Sequence, residues 1–323
     1  MMGSISKRLL TMIPMILGIT AVSFVLMQLA PGDPLAMMVD PSIHESDLAQ
    51  VRENLGLNQP VWIQYWRWLL AVLQGDFGYS FVTGQPVLTV ILDRLPATLL
   101  LSGSTMVLIV GITFPLGIWA GYKANTAVDH WITVLTFIGM SIPAFWLALV
   151  LLLMLSVQLE WFPLSGFQNY AVFEPTVWQQ CASILHHMVL PLVTSVLGGL
   201  AGLTRYHRSG VVGILNRMYI TAARSRGVGP SRLLFQHVAK NAALPIITLL
   251  GLMIPGLIGG SFVIEYIFAW PGMGQLGVSS VFARDYPVLM AILVFSSLLI
   301  MLGTLVSDIA YQWADPRVGR TSV

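Results

Sequence analysis

The chain is poor in charge: only 9% of its 323 residues are Asp, Glu, Lys or Arg, while 56% are hydrophobic. A soluble domain carries about 25% charged residues, so a water-soluble core does not account for this composition. Cysteine is almost absent. Cys181 is the only one, which excludes an intrachain disulfide and leaves the redox compartment unread. Lysine is scarce as well: Lys7, Lys123 and Lys240 follow Ser6, Tyr122 and Ala239. A P-loop needs Gly directly before its phosphate-binding Lys, so this chain does not hydrolyse ATP by that machinery.

Apolar runs fill the space that charge leaves. Six uncharged stretches cover approximately residues 9–30, 97–122, 131–158, 188–204, 244–264 and 288–307. A helix crossing the hydrocarbon core of about 30 Å needs about 20 mainly apolar residues, and only helices or closed barrels satisfy their backbone there. The expected fold is therefore an all-α membrane protein with six transmembrane helices in one bundle. Pro14, Pro115, Pro143, Pro191 and Pro255 fall inside these stretches, where each lost backbone bond is expected to bend its helix.

Ionisable groups are also missing from the spans, with Glu265, Asp285 and Asp308 only at their ends. Proton- or sodium-coupled carriers usually place such groups near mid-membrane, so a stand-alone secondary carrier is disfavoured. A membrane-embedded enzyme would need clustered His, Cys, Asp or Glu at that depth, and none is seen. His186 and His187 are neighbours that point about 100° apart on a helix, a poor metal pair beside an i, i+4 arrangement. We expect no catalytic, metal-binding or cofactor-binding residue in this chain.

Loop charge alternates in sign. With Lys7 and Arg8 on the cytoplasmic side, the cytoplasmic segments hold 12 of the 16 Lys and Arg, and the outer loops hold 11 of the 14 acids. The positive-inside rule then places both termini in the cytoplasm. The first span is longer than the apolar core of about 7–15 residues in a signal peptide and lacks a small-x-small cleavage site, so it reads as a retained helix. The chain divides into a head and first span (1–30), a large outer loop (31–96) and a five-helix core (97–323) with a cytoplasmic loop at about 205–243. In the outer loop, Trp62, Tyr65, Trp66, Trp68 and Leu69 recur at helical spacing, suggesting an amphipathic helix at the membrane face. Acids of that loop, among them Asp33, Asp40, Glu45, Asp47, Glu53, Asp76 and Asp93, either complement a basic partner or solvate the loop.

The cytoplasmic loop carries more than charge. Small Thr221, Ala222 and Ala223 permit close helix contact, Gly227 and Gly229-Pro230 break the helix, and Ser231 is placed to cap a second short helix running to Lys240. A helix-turn-helix projecting from the membrane is expected.

This segment resembles the "EAA" loop of the membrane subunits of bacterial ABC importers, with an Ala-Ala-x-x-x-Gly core at Ala222, Ala223 and Gly227. Thr221 stands where the leading Glu is usual, as in the peptide-importer branch, from whose Thr-Ala-Arg-x-Lys-Gly run Ala223 and Arg226 depart modestly. Further landmarks are similar to the same branch: Ala30-Pro-Gly-Asp-Pro34, Gly75-Asp-Phe-Gly78, Arg94-Leu-Pro-Ala-Thr98, Ser141-Ile-Pro-Ala-Phe-Trp146, Glu265-Tyr-Ile-Phe-Ala-Trp-Pro271-Gly-Met-Gly274, Asp285-Tyr-Pro287 and Asp315-Pro-Arg317. The resemblance implies a type I ABC importer permease fold and the B-type membrane subunit of a di- or oligopeptide importer in the bacterial cytoplasmic membrane. Nickel and glutathione importers have similar permeases and remain alternatives. It also implies a homologous permease, two ATPase subunits that hold ATP and Mg, and an extracytoplasmic binding protein as partners, with membrane lipid around them and no nucleic acid. Carried over by position, Thr221, Ala222, Ala223 and Gly227 match the loop motif. Gly227, Val228, Gly229, Pro230, Ser231 and Arg232 become the expected ATPase contact.

Overall fold

The structure, a computed structural model, describes residues 2–29, 52–53, 58–169, 175–253 and 262–314. Among them the secondary structure is helical apart from one isolated bridge between Tyr79 and Pro86. In chain order the helices are α1 (Met2–Leu29), α2 (Val61–Leu73), α3 (Val87–Tyr122), α4 (Ala127–Ser141), α5 (Ala144–Leu151), α6 (Val177–Leu215), α7 (Met218–Ser225), α8 (Pro230–Arg232), α9 (Lys240–Met253), α10 (Phe262–Ile267), α11 (Met273–Ala283) and α12 (Tyr286–Ala314). A π-helical segment, Leu152–Gln158, continues α5, and another, Leu233–Ala239, joins α8 to α9.

Among the described residues, four helical stretches are long and apolar enough to span a bilayer: Leu10–Leu29, Val87–Tyr122, Val177–Leu215 and Tyr286–Val306. The expected span at 131–158 is instead two helices, α4 and α5 with its π segment, bent by 88°. The break has a local cause. Pro143 bars its predecessor from the helical region, and Ile142 lies at φ −85°, ψ 122°. Pro14, Pro115 and Pro191 sit in helices that continue through them, while Pro255 lies outside the described residues. The expected span at 244–264 is described as far as Met253 and again from Phe262.

Two helices outrun the spans expected for them. α3 has 36 residues and α6 has 39, about 54 and 58 Å at 1.5 Å per residue. Charged Asp93, Arg94, Arg205 and Arg208 end the apolar runs without ending the helices, because outside the hydrocarbon they cost nothing. α3 and α6 run side by side in the same direction. A Cβ on Gly199 would lie 2.4 Å from Ile109 Cδ1, one on Gly117 2.8 Å from His207, and one on Gly121 2.6 Å from Val211. The pairing advances along both helices together. Thr113, Gly117 and Gly121 are four residues apart, so they share one face and let the backbones approach closely. Thr204 and Thr113 face each other across the same seam at 3.5 Å.

The bent α4–α5 pair crosses the bundle and is not a re-entrant loop. Near its start Asp129 is held by Arg208 of α6, and beyond the bend Ala148 and Leu152 share a core with Leu190 of α6. Arg208 and Leu190 are 18 residues apart on one helix, about 27 Å.

At the end expected to face outward, the amphipathic α2 is tied to α1 by more than its apolar face. Its Tyr65 hydroxyl lies 3.0 Å from Thr20 Oγ1 and 3.2 Å from the Leu17 carbonyl, and Gln28 donates to Gln64 at 2.8 Å. Trp62, Trp66, Leu70 and Leu73 stay exposed. Nearby, the start of α11 is closed by buried side chains from elsewhere. Glu265 accepts from the Gly274 and Gln275 N–H groups at 2.6 and 3.2 Å and from the Thr98 hydroxyl at 3.1 Å, and Thr98 Oγ1 accepts from Met273 N–H at 2.6 Å. Trp270 donates to the Ala97 carbonyl at 2.9 Å. Asp285 fastens the outer loop by accepting from Ser80 Oγ and Phe81 N–H. The Glu-to-Gly274 landmark is thus a lock between α3, α10 and α11. Burial pushes the Glu265 carboxyl above the ordinary range, and the N–H groups of Gln275 and Gly274 and the Thr98 hydroxyl draw it back. The landmarks at 30–34 and 315–317, and the acids Asp33, Asp40, Glu45 and Asp47, lie outside the described residues.

Candidate functional site

The loop expected to be cytoplasmic folds as the sequence suggests, a helix, a tight turn and a second helix, with a different cap. α7 ends in a paired turn: Gly227 N–H donates to the Arg224 carbonyl at 2.9 Å and Val228 N–H to the Ala223 carbonyl at 3.2 Å. This is the Schellman pattern, which places the residue after the helix in the left-handed region and favours glycine there. Gly227 has φ +80° with open space where a Cβ would sit, so its requirement is conformational and not steric. The second helix starts after Gly229, with Pro230 at its first position, where a missing N–H is harmless. Ser231 therefore does not cap it. It lies one position past Pro230, exposed, while Gly229 takes the cap position with no side-chain bond.

The loop has two faces. Inward, buried Ile220, Leu233, Val238 and Ala239 pack with half-buried Ala223 and Val228 against Ile118 of α3 and Val211 of α6. The turn is thereby seated on the C-terminal ends of the two parallel helices. Outward, Thr221, Ala222, Arg224, Arg226, Gly227, Gly229, Pro230, Ser231 and Arg232 are exposed, and Arg232 donates to Gln236 at 2.9 Å. Of the three small residues, Ala223 alone packs inside the chain; Thr221 and Ala222 offer their surface outward.

Sequence reasoning missed Met218, Tyr219 and Phe235. Their exposures are 89%, 46% and 67%. The signal was present in Leu233-Leu-Phe235: with Leu233 turned inward, a residue two positions on faces nearly the opposite way on a helix.

Beside the loop, Asp129 at the start of α4 accepts both arms of the Arg208 guanidinium at 2.6 Å and the Asn125 N–H at 2.8 Å. His207, the residue before it, is buried with its ring stacked 4.8 Å from Phe114. Elsewhere, His186 and His187 each donate to a backbone carbonyl, of Trp161 at 2.9 Å and Ser183 at 2.8 Å. Among the described residues no three His, Cys, Asp or Glu are grouped to hold a metal.

Comparison with known proteins agrees along the full length. Residues 113–320 match the family described as binding-protein-dependent transport system inner membrane component, and residues 1–102 match its N-terminal part. The oligopeptide transport system permease protein AppB of Bacillus subtilis is 46% identical over 98% of this chain and 99% of its own. A probable peptide ABC transporter permease protein of Sinorhizobium fredii is 35% identical over 97% and 98%. The glutathione transport system permease protein GsiC of Salmonella typhimurium is 36% identical over 98% and 99%. Among solved structures, the inward-facing MetNI methionine ABC transporter shares the fold with TM-score 0.56, 16% identity, and coverage of 70% of this chain and 97% of that one.

Proposed function

Because the chain belongs to the binding-protein-dependent transport system inner membrane component family, we propose that it is one of two homologous permeases of an ATP-driven peptide importer. An external binding protein delivers the cargo, and two ATPase subunits, which hold ATP and Mg, supply the work. Peptide passes between this chain and its homologue in the bacterial inner membrane, with both termini in the cytoplasm. The observation that carries this reading is the two-faced loop, rigidly seated on α3 and α6 on one side and exposing Met218, Tyr219, Phe235 and three arginines on the other. Such a shape passes a push from a cytoplasmic partner into the bundle. Thr221, Ala222, Ala223 and the turn Gly227, Val228, Gly229, Pro230, Ser231 and Arg232 form the ATPase contact in this reading. The peptide cargo is supported by the 46% likeness to an oligopeptide permease.

Glutathione, itself a peptide, is the second reading, supported by the 36% likeness to a glutathione permease. Reconstitution in proteoliposomes with the partner permease, ATPase subunits and binding protein decides between them. ATP-dependent uptake of labelled di- and oligopeptides is expected; uptake of glutathione alone selects the second reading. The purified chain without partners should hydrolyse no ATP above background, and sustained hydrolysis by it would contradict the division of labour. Topology is checked in a Cys181→Ser background: a cysteine at exposed Asn58 should label in intact cells, and one at exposed His130 only after permeabilisation.

A further inference from the structure

We propose that the Asp129–Arg208 ion pair is a positioning strut that makes α4 follow the coupling loop, turning the broken α4–α5 span about Ile142–Pro143 when the ATPase subunits close. The inference rests on the importer reading above.

Asp129 begins as a turn residue. In the first turn of α4 it accepts the Asn125 N–H at 2.8 Å, which closes the connection from α3, and it sits well for the positive end of the helix. Closing that turn needs one oxygen. Both oxygens are nevertheless taken up by the fork of Arg208, at 2.6 Å each, from a helix 79 residues further on. The carboxylate is buried while the guanidinium is about a quarter exposed. A two-armed fork fixes direction as well as distance, which a single ammonium contact does not.

Arg208 lies on the turn of α6 that packs against the loop. One residue before it, His207 fills the groove at Gly117; three residues after it, Val211 fills the groove at Gly121, and a Cβ on Gly121 would also lie 2.9 Å from the Arg208 carbonyl. Val211 belongs to the same apolar cluster as Ile220, Leu233 and Val238 of the coupling loop. The loop, the end of α3 and this turn of α6 therefore move as one piece. α4 lies outside that piece. Its exposed Trp131, Leu135 and Ile138 face away from the core, and its other end breaks by 88° at Pro143. Further along, α4 also packs on α6, with Gly139 close against Leu197, but such contacts fix spacing without the direction that a two-armed fork imposes. The fork is what sets the register of α4 against α6, with the break as its pivot.

The test uses the complete complex in proteoliposomes, with ATP hydrolysis and peptide uptake measured together. The doubly neutral variant Asp129→Asn with Arg208→Gln removes the charges without stranding one of them. It should still assemble and hydrolyse ATP, while peptide moved per ATP falls by about fivefold or more. Arg208→Lys keeps the charge and loses the fork, and should fall between wild type and the double variant. Spin labels at His130 and Ser225, in a Cys181→Ser background, should keep one sharp distance through turnover in the wild type and broaden in the double variant. An unchanged uptake-to-ATP ratio in the double variant, beside a wild-type complex that transports peptide, overturns the strut alone. Failure of both variants to assemble also overturns it and makes the pair a folding element. A wild-type complex that moves no peptide undoes the importer reading itself.

Discussion

Gly272 and Gly229 each stand at the start of a helix, and neither supplies a side-chain cap. At Gly272, on the side expected to face outward, distant residues do the capping: Glu265 and Thr98 between them meet the N–H groups of Met273, Gly274 and Gln275 inside the protein. At Gly229, on the side expected to face the cytoplasm, no side chain among the described residues caps the helix start, and Pro230, Ser231 and Arg232 are exposed. Buried polar groups without partners are costly, so a closed network like the outer one tolerates little movement. An open, water-facing turn is satisfied by solvent and is free to accept a partner. The outer lock is thus organised for rigidity and the inner turn for engagement, and substitutions at the two should fail in different ways.

The largest effect is expected at the outer lock. Glu265→Ala leaves the buried Gly274 N–H and the half-buried Gln275 N–H without an acceptor, at about 1–3 kcal/mol for a fully buried donor, so a loss of about 2 kcal/mol or more is expected. It should appear as a lowered thermal midpoint of the purified complex and reduced membrane yield. Glu265→Gln retains an acceptor for the N–H groups and should recover most of the loss. Equal damage from Ala and Gln would mean that charge, and not acceptor geometry, holds the lock.

Next comes the seam that joins the two ends. A Cβ on Gly121 would meet Val211 at 2.6 Å and the Arg208 carbonyl at 2.9 Å. Gly121→Val therefore overpacks a contact that includes backbone, at about 1–3 kcal/mol. Gly103, with open space around it, is the control, and Gly103→Ala should be close to neutral. Thermal unfolding of the two variants compares them directly.

At the inner turn the balance reverses, with little stability lost and function removed. Gly227→Asp places a side chain at φ +80°, at a cost of about 1 kcal/mol, and Arg232→Glu reverses an exposed charge. Both variants should insert and melt near wild type, yet weaken pull-down of the ATPase subunits and abolish uptake. Normal docking and uptake in both would reduce the loop to a positive-inside charge cluster.

The sequence made these ends unequally legible. The turn at Gly227 was readable because its signal is local: a glycine between two short helical patterns. Apolar runs likewise placed the centres of α1, α3, α6 and α12. Their ends were not readable, because charge ends a hydropathic run at the membrane surface while Asp93, Arg94, Arg205 and Arg208 sit comfortably on helices that continue beyond it. Pro143 was expected to bend its helix, and only its neighbour's extended backbone turned the bend into a break of 88°. Long-range partnerships were invisible: Asp129 with Arg208 is 79 residues apart, and Glu265 with Thr98 is 167. Glu265 stood out as part of a landmark, but nothing local says that its carboxylate caps a helix that begins eight residues later.

The smallest effect tests the cap that the sequence misassigned. Were Ser231 the N-cap of the second cytoplasmic helix, Ser231→Ala would cost about 0.5–2 kcal/mol. Because Gly229 occupies that position and Ser231 is exposed, the substitution should stay within about 0.5 kcal/mol, as surface changes usually do. Hydrogen exchange of the amides in 231–240 gives the measurement, since loss of a true cap would speed exchange throughout the first turns. Exchange unchanged in Ser231→Ala, beside faster exchange at Met273 in a Thr98→Ala variant, would show one helix start held by side chains and the other by backbone geometry alone. A clear increase in the Ser231 variant would mean that the inner turn also depends on a side-chain cap, and the contrast between the two ends would narrow to burial.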